Sequence, residues 1–170
     1  TRETRAIAHV VRCFEDENVV HVAGRVDPLA DIEIIETELA LADLETMTRA
    51  IERAQKLTRS GDKEAVALVG RLERVVEGLN EMRAVRVQQL DKETLAAISS
   101  YNLLTAKPVV YVANVDAANV AGTELSSRVA EHAASQGAPC VVLCAALEAE
   151  LASLADQDRS ELLPRLALLE

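Results

Sequence analysis

The sequence predicts an α/β domain: a partial parallel sheet with helices between its strands, interrupted by an antiparallel helical hairpin. Three observations predict it. The run Val109-Val110-Tyr111-Val112-Ala113 is β-branched and aromatic and breaks off at Asn114-Val115-Asp116-Ala117, the pattern of a buried strand opening into a polar loop. Two further apolar runs, Ala6–Phe14 and Pro139–Cys144, are separated from it by stretches of helical period, and such alternation marks a parallel sheet. Finally, two thin apolar stripes at three-four spacing flank Ser60-Gly61-Asp62, as two helices folding back on one another require.

Taken in order, Ala6–Phe14 is the first buried strand, and Glu15–Asn18 an acidic loop. Val19–Val22 is either an edge strand or a packed loop. Asp27 before Pro28 supplies an N-cap and a first helical residue. The helix that follows has two kinds of face. Ile32, Ile35, Leu39 and Ala42, with Ile34 and Leu41 to the side, form a broad stripe suited to a sheet. Ala40, Leu44, Met47, Ile51 and Ala54 then narrow to a coiled-coil seam, so the helix is expected to leave the globular body near Asp43.

Gly61 ends that helix and Asp62 caps the next. Leu68, Leu72, Val75 and Leu79 form the return seam, flanked by Val69 and Val76. At about 1.5 Å per residue the arm reaches roughly 25 Å. Beyond Arg83–Val87, Asp91 caps a helix expected to run to Leu104. Gly122 and Thr123 lead into a helix carrying Leu125, Val129 and His132 on one face, closing at Gln136-Gly137. Pro139–Cys144 is a third buried strand, and residues 156–170 read as an amphipathic tail helix. The expected organisation is residues 1–42 as the first part of the sheet domain, 43–82 as the hairpin, and 83–170 as the second part.

The chain is 49% hydrophobic but only 2% aromatic, so its core is built from Ala, Val, Leu and Ile, which suit helices and parallel strands. A formal charge of −10 argues against a general binder of DNA or of anionic membranes, because either would be repelled. Cys13, Cys140 and Cys144 have neither the number of a disulfide framework nor metal-ligand spacing, which points to reduced thiols and a cytoplasmic protein. No apolar run has membrane-spanning length. The start, Thr1-Arg2-Glu3-Thr4-Arg5 without an initiator Met, suggests a natural N-terminus elsewhere.

Charge is also unevenly distributed. Arg49, Arg53, Lys56, Arg59 and Lys63 are opposed locally only by Glu52 and Asp62. A basic tip on a projecting arm suits an RNA or ribosome contact, although a solvated helical face has the same composition. His9, His21 and His132 have no carboxylate at ligand spacing, so no metal site is expected from them.

Several ordered segments carry a family resemblance. Ala8-His9-Val10-Val11-Arg12-Cys13-Phe14-Glu15-Asp16, Val26-Asp27-Pro28, Asp31-Ile32-Glu33 and Thr37-Glu38-Leu39 resemble the YchF, or Obg-like ATPase, family of P-loop NTPases. Lys107-Pro108, Tyr111-Val112-Ala113-Asn114-Val115 and Cys144-Ala145-Ala146-Leu147-Glu148-Ala149 fit the same family in the same order. The likeness covers essentially the whole chain. It implies a nucleotide-binding domain with a coiled-coil insertion, ATP or GTP with Mg²⁺ as ligand, and a ribosome-associated regulatory hydrolase working by phosphoryl transfer to water.

The family pattern is incomplete in this sequence. No G-x-x-x-x-G-K-[ST] segment is present, so no loop of that type cradles the phosphates. The D-x-x-G segment of the switch region and the small TGS domain are also missing, and the chain looks like the central part of a longer protein, inactive alone. What the resemblance implies here is the base site. Asn114 and Val115 match the family's N-x-x-E motif, while Ala117 stands where the family has Glu. Losing a charged hydrogen bond there removes about 1.5–3 kcal/mol of base discrimination; Asp116 lies one position out of phase. Cys144, Ala145 and Ala146 match the loop that lines the base, and Phe14 is placed to stack on it. Read alone, Asn114–Ala117 is an ordinary strand-end turn. The alternative function is a non-enzymatic protein or RNA interaction module centred on the arm.

Overall fold

The computed structural model describes residues 3–15, 26–58 and 62–154. The chain divides into two compact units, one of residues Thr1–Ile7 and Ile32–Pro108, the other of Ala8–Asp31 and Val109–Glu170.

The second unit is built on a three-stranded sheet in the order β1-β2-β3: β1 is Ile7–Arg12, β2 Val109–Asn114 and β3 Cys140–Leu143. β2 and β3 run parallel, with Tyr111 opposite Cys140 and Asn114 opposite Leu143. β1 is parallel as well, since Ile7 N donates to Pro108 O and Cys13 N to Asn114 O. The strand expected to organise the chain is therefore the central one. Its Tyr111 and Ala113 are fully buried, and β1 adds His9 and Val11 to the covered face.

Both flanking strands depart from expectation. β1 alternates, with Val10 60% exposed beside buried His9 and Val11, and β3 leaves Val141 and Val142 exposed. An apolar run reads as doubly buried in sequence, but a position at the edge of a three-stranded sheet leaves part of it open to solvent. The helix α4, Glu124–Ser135, packs against β2 and β3. Thr123 caps it with a capping box to Ser126, and Gly137, at a φ of 64°, supplies the left-handed residue that ends it. The helix α5, Ala145–Ser153, follows β3 directly.

The first unit is helical. The helix α1 spans Pro28–Thr58 and α2 spans Lys63–Asn80. Asp27 Oδ1 receives Ala30 N at the start of α1, and Asp62 receives Glu64 N and Ala65 N at the start of α2, both as their sequences demand. Ala40, Met47 and Ala50 of α1 share one buried cluster with Leu72, Val75 and Leu79 of α2 and with Val85, Ile98 and Leu103. The narrow seams are thus the core of this unit. Of the broad stripe, Ile32 is buried and Leu39 and Ala42 are half-buried, whereas Ile34, Ile35 and Leu41 are exposed.

The helix α3 is Lys92–Ile98, capped by Asp91 through Thr94 N. It tightens into a 3₁₀ turn over Ser99–Tyr101 and ends at Asn102, with a φ of 50°, rather than continuing to Leu104. Asn tolerates that left-handed conformation better than most residues, and it stops the helix there. The ion pairs Arg71–Glu93 and Arg74–Asp91 join α2 to α3. The two glycines of α2 differ. A Cβ on Gly78 would collide with the Gln88 side chain, whose Nε2 donates to Arg83 O, whereas a Cβ on Gly70 would meet nothing within 4 Å among the described residues. The expected run at Val19–Val22, the tail helix over 156–170 and Arg59 lie outside the described residues.

Candidate functional site

In a parallel sheet every strand points its carboxyl end the same way, and ligands bind beyond that edge. Here three strand ends lie level. Cys13 N donates to Asn114 O at 2.8 Å, and Val115 N donates to Leu143 O at 2.9 Å. The residues assigned to base recognition from the sequence, Phe14, Asn114, Val115, Asp116, Cys144, Ala145 and Ala146, come from those three ends.

Their roles differ once placed. Asn114 is half-buried at the last position of β2, and its Oδ1 accepts Ala145 N at 2.9 Å. That bond fastens the end of β2 to the first residue of α5, and leaves the amide nitrogen of Asn114 to donate. Val115 is 1% exposed and anchors the loop from below. Asp116 caps a 3₁₀ turn over Ala117–Asn119: its carboxylate takes Ala118 N and both of its oxygens face Asn119 Nδ2, each at 2.9 Å. The loop is thereby stiffened by Asp116, the acidic residue one position out of phase with the missing Glu, and Ala117 is exposed. Cys144 is buried as the N-cap residue of α5, with Ala145 and Ala146 exposed beyond it.

Phe14 is half-buried, with the guanidinium of Arg12 centred 5.2 Å over its ring. Arg12 Nε also donates to Phe14 O at 3.0 Å. Sequence reasoning did not single out Arg12; a cation two residues before an aromatic at a strand end is the signal that was available. The histidines, read as scattered, are partly gathered by the sheet. His9 stacks on Tyr111 with centroids 5.5 Å apart, and Tyr111 meets the edge of His132 at 5.4 Å. These contacts link residues far apart in the chain, which no local pattern reveals.

The three cysteines are free thiols. Burial, and to a lesser degree the neighbouring Cys140, pushes the Cys13 thiol up to about 11, and its Sγ donates to Val11 O at 3.7 Å. Burial also raises Cys140, against a backbone hydrogen bond at Ala113 that lowers it. Both thiols are thus kept protonated and poorly nucleophilic.

The basic residues lie along α1 and at the start of α2. Arg53, Lys56 and Lys63 are exposed, while Arg49 is paired one turn back with Glu45. The local charge excess is therefore smaller than the segment from Arg49 to Lys63 suggests, because Glu45 lies just outside it. Among the described residues no group of three His, Cys, Asp or Glu side chains is arranged to hold a metal ion, and no helix is long and apolar enough to cross a membrane.

No family model matches the chain, but relatives and a solved structure do. It is 49% identical over 169 residues to the ribosome-binding ATPase YchF of Haemophilus influenzae, covering 99% of this chain and 47% of that protein. Identity to the Escherichia coli O157:H7 protein of the same name is 46%, and to that of Bacillus subtilis 38%, with the same coverage of each relative. The chain spans about half the length of these relatives. The structure of the Schizosaccharomyces pombe YchF GTPase superposes with a TM-score of 0.85 at 27% identity, over 98% of this chain and 47% of that one. Over almost its whole length the chain thus matches about half of a protein of the YchF, or Obg-like, family of P-loop GTPases.

Proposed function

We propose that this chain supplies the base-recognition half of the nucleotide site, and a projecting arm, to a ribosome-associated regulatory protein that binds and hydrolyses ATP or GTP. The observation that carries the reading is the Asn114 Oδ1–Ala145 N bond. It ties two loops, from neighbouring parallel strands, into one rim at the edge where such sheets bind ligands. The Asn114 amide nitrogen and the exposed backbone at Ala145 and Ala146 then face the edge of a planar base, with Phe14 positioned to stack on it. Asp116 holds the loop in shape, and Cys144 and Val115 support it from beneath.

The residues present fit a base and do not fit the phosphates or Mg²⁺. The sequence has no G-x-x-x-x-G-K-[ST] segment, and the described residues offer no carboxylate cluster for a metal. No hydrolytic step is assigned to them. In this reading residues 1–42 and 83–170 belong to the nucleotide domain. Residues 43–82 form an antiparallel coiled-coil hairpin, supported by the buried cluster that Met47 and Ala50 share with Leu72, Val75 and Leu79. Arg49, Arg53, Lys56, Arg59 and Lys63 give that arm a surface for RNA or the ribosome.

Calorimetric titration tests the base site. The chain alone should bind ATP or GTP no tighter than about millimolar, because base contacts by themselves supply only about 4 kcal/mol. In the chain extended to the length of its relatives, Asn114→Ala should weaken binding by about tenfold, the loss of one hydrogen bond to the base. Unchanged affinity overturns the assignment. For the arm, reversing Arg53, Lys56 and Arg59 to Glu should reduce co-sedimentation with ribosomes and flatten its salt dependence; identical salt curves would refute that contact.

A further inference from the structure

The rim of the candidate base site is one-sided in what it can exchange with a base. Asn114 Oδ1 is taken by Ala145 N at 2.9 Å, which leaves that side chain its Nδ2 donor. Val115 and Cys144 are buried, and Ala117, Ala145 and Ala146 are exposed but carry no polar side chain. The opening turn of α5 presents backbone N–H groups, which are donors again.

Between Asn114 and Asn119, and between Cys144 and Ala146, the one carboxylate is Asp116. It is committed to its own loop. Its Oδ1 accepts Ala118 N and Asn119 Nδ2, and its Oδ2 accepts Asn119 Nδ2 as well, each at 2.9 Å. A two-pronged contact of this kind fixes the plane of a carboxylate along with its position. Asn119 is held in turn, since its N donates to Asp116 O at 3.1 Å and its O accepts Gly122 N at 2.9 Å. Turning Asp116 toward a base would uncap the 117–119 turn and strand Ala118 N.

The chemistry of the bases makes this imbalance selective. All purines carry an imidazole-ring nitrogen that accepts a hydrogen bond, and guanine and hypoxanthine add an oxo group beside it. Guanine differs from hypoxanthine by an exocyclic amino group, and adenine has an amino group where both have the oxo. An amino group is a donor and is read only by an acceptor. Asn114 Nδ2 and the α5 N–H groups match the acceptor edge, whereas neither loop has an uncommitted side-chain acceptor for the amino groups.

We propose, on the base-site reading given above, that this rim recognises purine nucleotides by their acceptor edge alone. Guanine and hypoxanthine nucleotides bind alike, and adenine nucleotides bind no better than either. Asp116 is a positioning residue that acts through Asn119 and does not touch the base.

Calorimetry with ADP, GDP, IDP and CDP, on the chain extended to the length of its relatives, tests this. GDP and IDP should bind within about threefold of one another, ADP equally or more weakly, and CDP, which lacks the imidazole ring, at least about tenfold more weakly than GDP. Asp116→Ala should lower the three purine affinities by one common factor. Asp116→Ser, which keeps an oxygen for Ala118 N, should restore most of that loss. Ala117→Glu, which adds an acceptor at an exposed position of the loop, should separate the three purines by about tenfold. A larger preference for GDP over IDP, or a preference for ADP over both, overturns the proposal. So does a loss in Asp116→Ala confined to one purine, or an Ala117→Glu chain that still binds all three alike. CDP binding as tightly as the purines would instead remove the base-site reading on which the proposal rests.

Discussion

Asp43 is the most consequential side chain of the helical unit, and replacing it should be correspondingly costly. It is fully buried on α1. Its Oδ1 accepts Leu104 N at 2.9 Å, and its Oδ2 accepts Thr105 N at 2.7 Å and Thr105 Oγ1 at 2.8 Å. The same hydroxyl accepts Val85 N at 3.3 Å. One carboxylate therefore holds α1, the segment after α2 and the approach to β2 in register. Asp43→Ala strands two buried backbone N–H groups, at about 1–3 kcal/mol each, for a total of about 3–5 kcal/mol once the hydroxyl has turned elsewhere. Asp43→Asn keeps one acceptor oxygen but turns an NH₂ toward the other donor, for about 2–3 kcal/mol.

Against the roughly 5–15 kcal/mol typical of a domain, the alanine variant is near the limit of folding. Urea unfolding followed by far-ultraviolet circular dichroism measures both losses. A double-mutant cycle with Thr105→Val should return a coupling of about 1 kcal/mol. A loss below about 1 kcal/mol for Asp43→Ala, with an unchanged denaturant slope, would refute the reasoning.

The two glycines of α2 should respond oppositely to alanine: Gly70→Ala should stabilise by about 1 kcal/mol, and Gly78→Ala should cost about 1–3 kcal/mol by displacing Gln88. Melting of the two variants side by side decides it. Cys13, raised to about 11, keeps its proton in the folded chain above the pH at which the unfolded chain loses its own. The stability linked to it is complete below about pH 9 and declines as pH rises toward 11; Cys13→Ala should flatten that decline in alkaline unfolding curves. Asp91 is held below the ordinary carboxylate value, chiefly by the Thr94 backbone hydrogen bond, with a smaller share from Arg74. Its contribution is therefore present above the unfolded pKa and is lost as pH falls through the folded one. Asp91→Asn should make acid unfolding less steep, and an unchanged acid limb would contradict it.

Much of this arrangement was legible because it is local. Asp27, Asp62, Asp91 and Thr123 announce helix starts by satisfying backbone donors two or three residues on, a relation visible in any short window. The narrow seams of α1 and α2 were equally readable, since burial follows helical period. What failed depended on partners. Val141 and Val142 look like core until β3 proves to be an edge among the described strands, and Ile34 and Leu41, read as the side of a sheet-facing stripe, are exposed. Asp43 is a third case, a buried polar residue on the line Ala40, Met47, Ala50 and Ala54. A carboxylate on an apolar stripe was the available signal, but its donors are about sixty residues away in sequence. In the candidate base site, the composition of the rim could be read, whereas the use of Asp116 as a turn cap could not, because Asn119 Nδ2 completes it.

The chain has no tryptophan and only two tyrosines, and they fall one to each unit. Tyr111 sits fully buried at the centre of the sheet between His9 and His132, while Tyr101 packs against the helical core. Each unit thus carries a single tyrosine. With Tyr101→Phe or Tyr111→Phe, the near-ultraviolet signal of the other residue becomes a private record of its own unit. Whether the helical unit and the sheet unit unfold as one cooperative body or as two can then be followed without attaching a label.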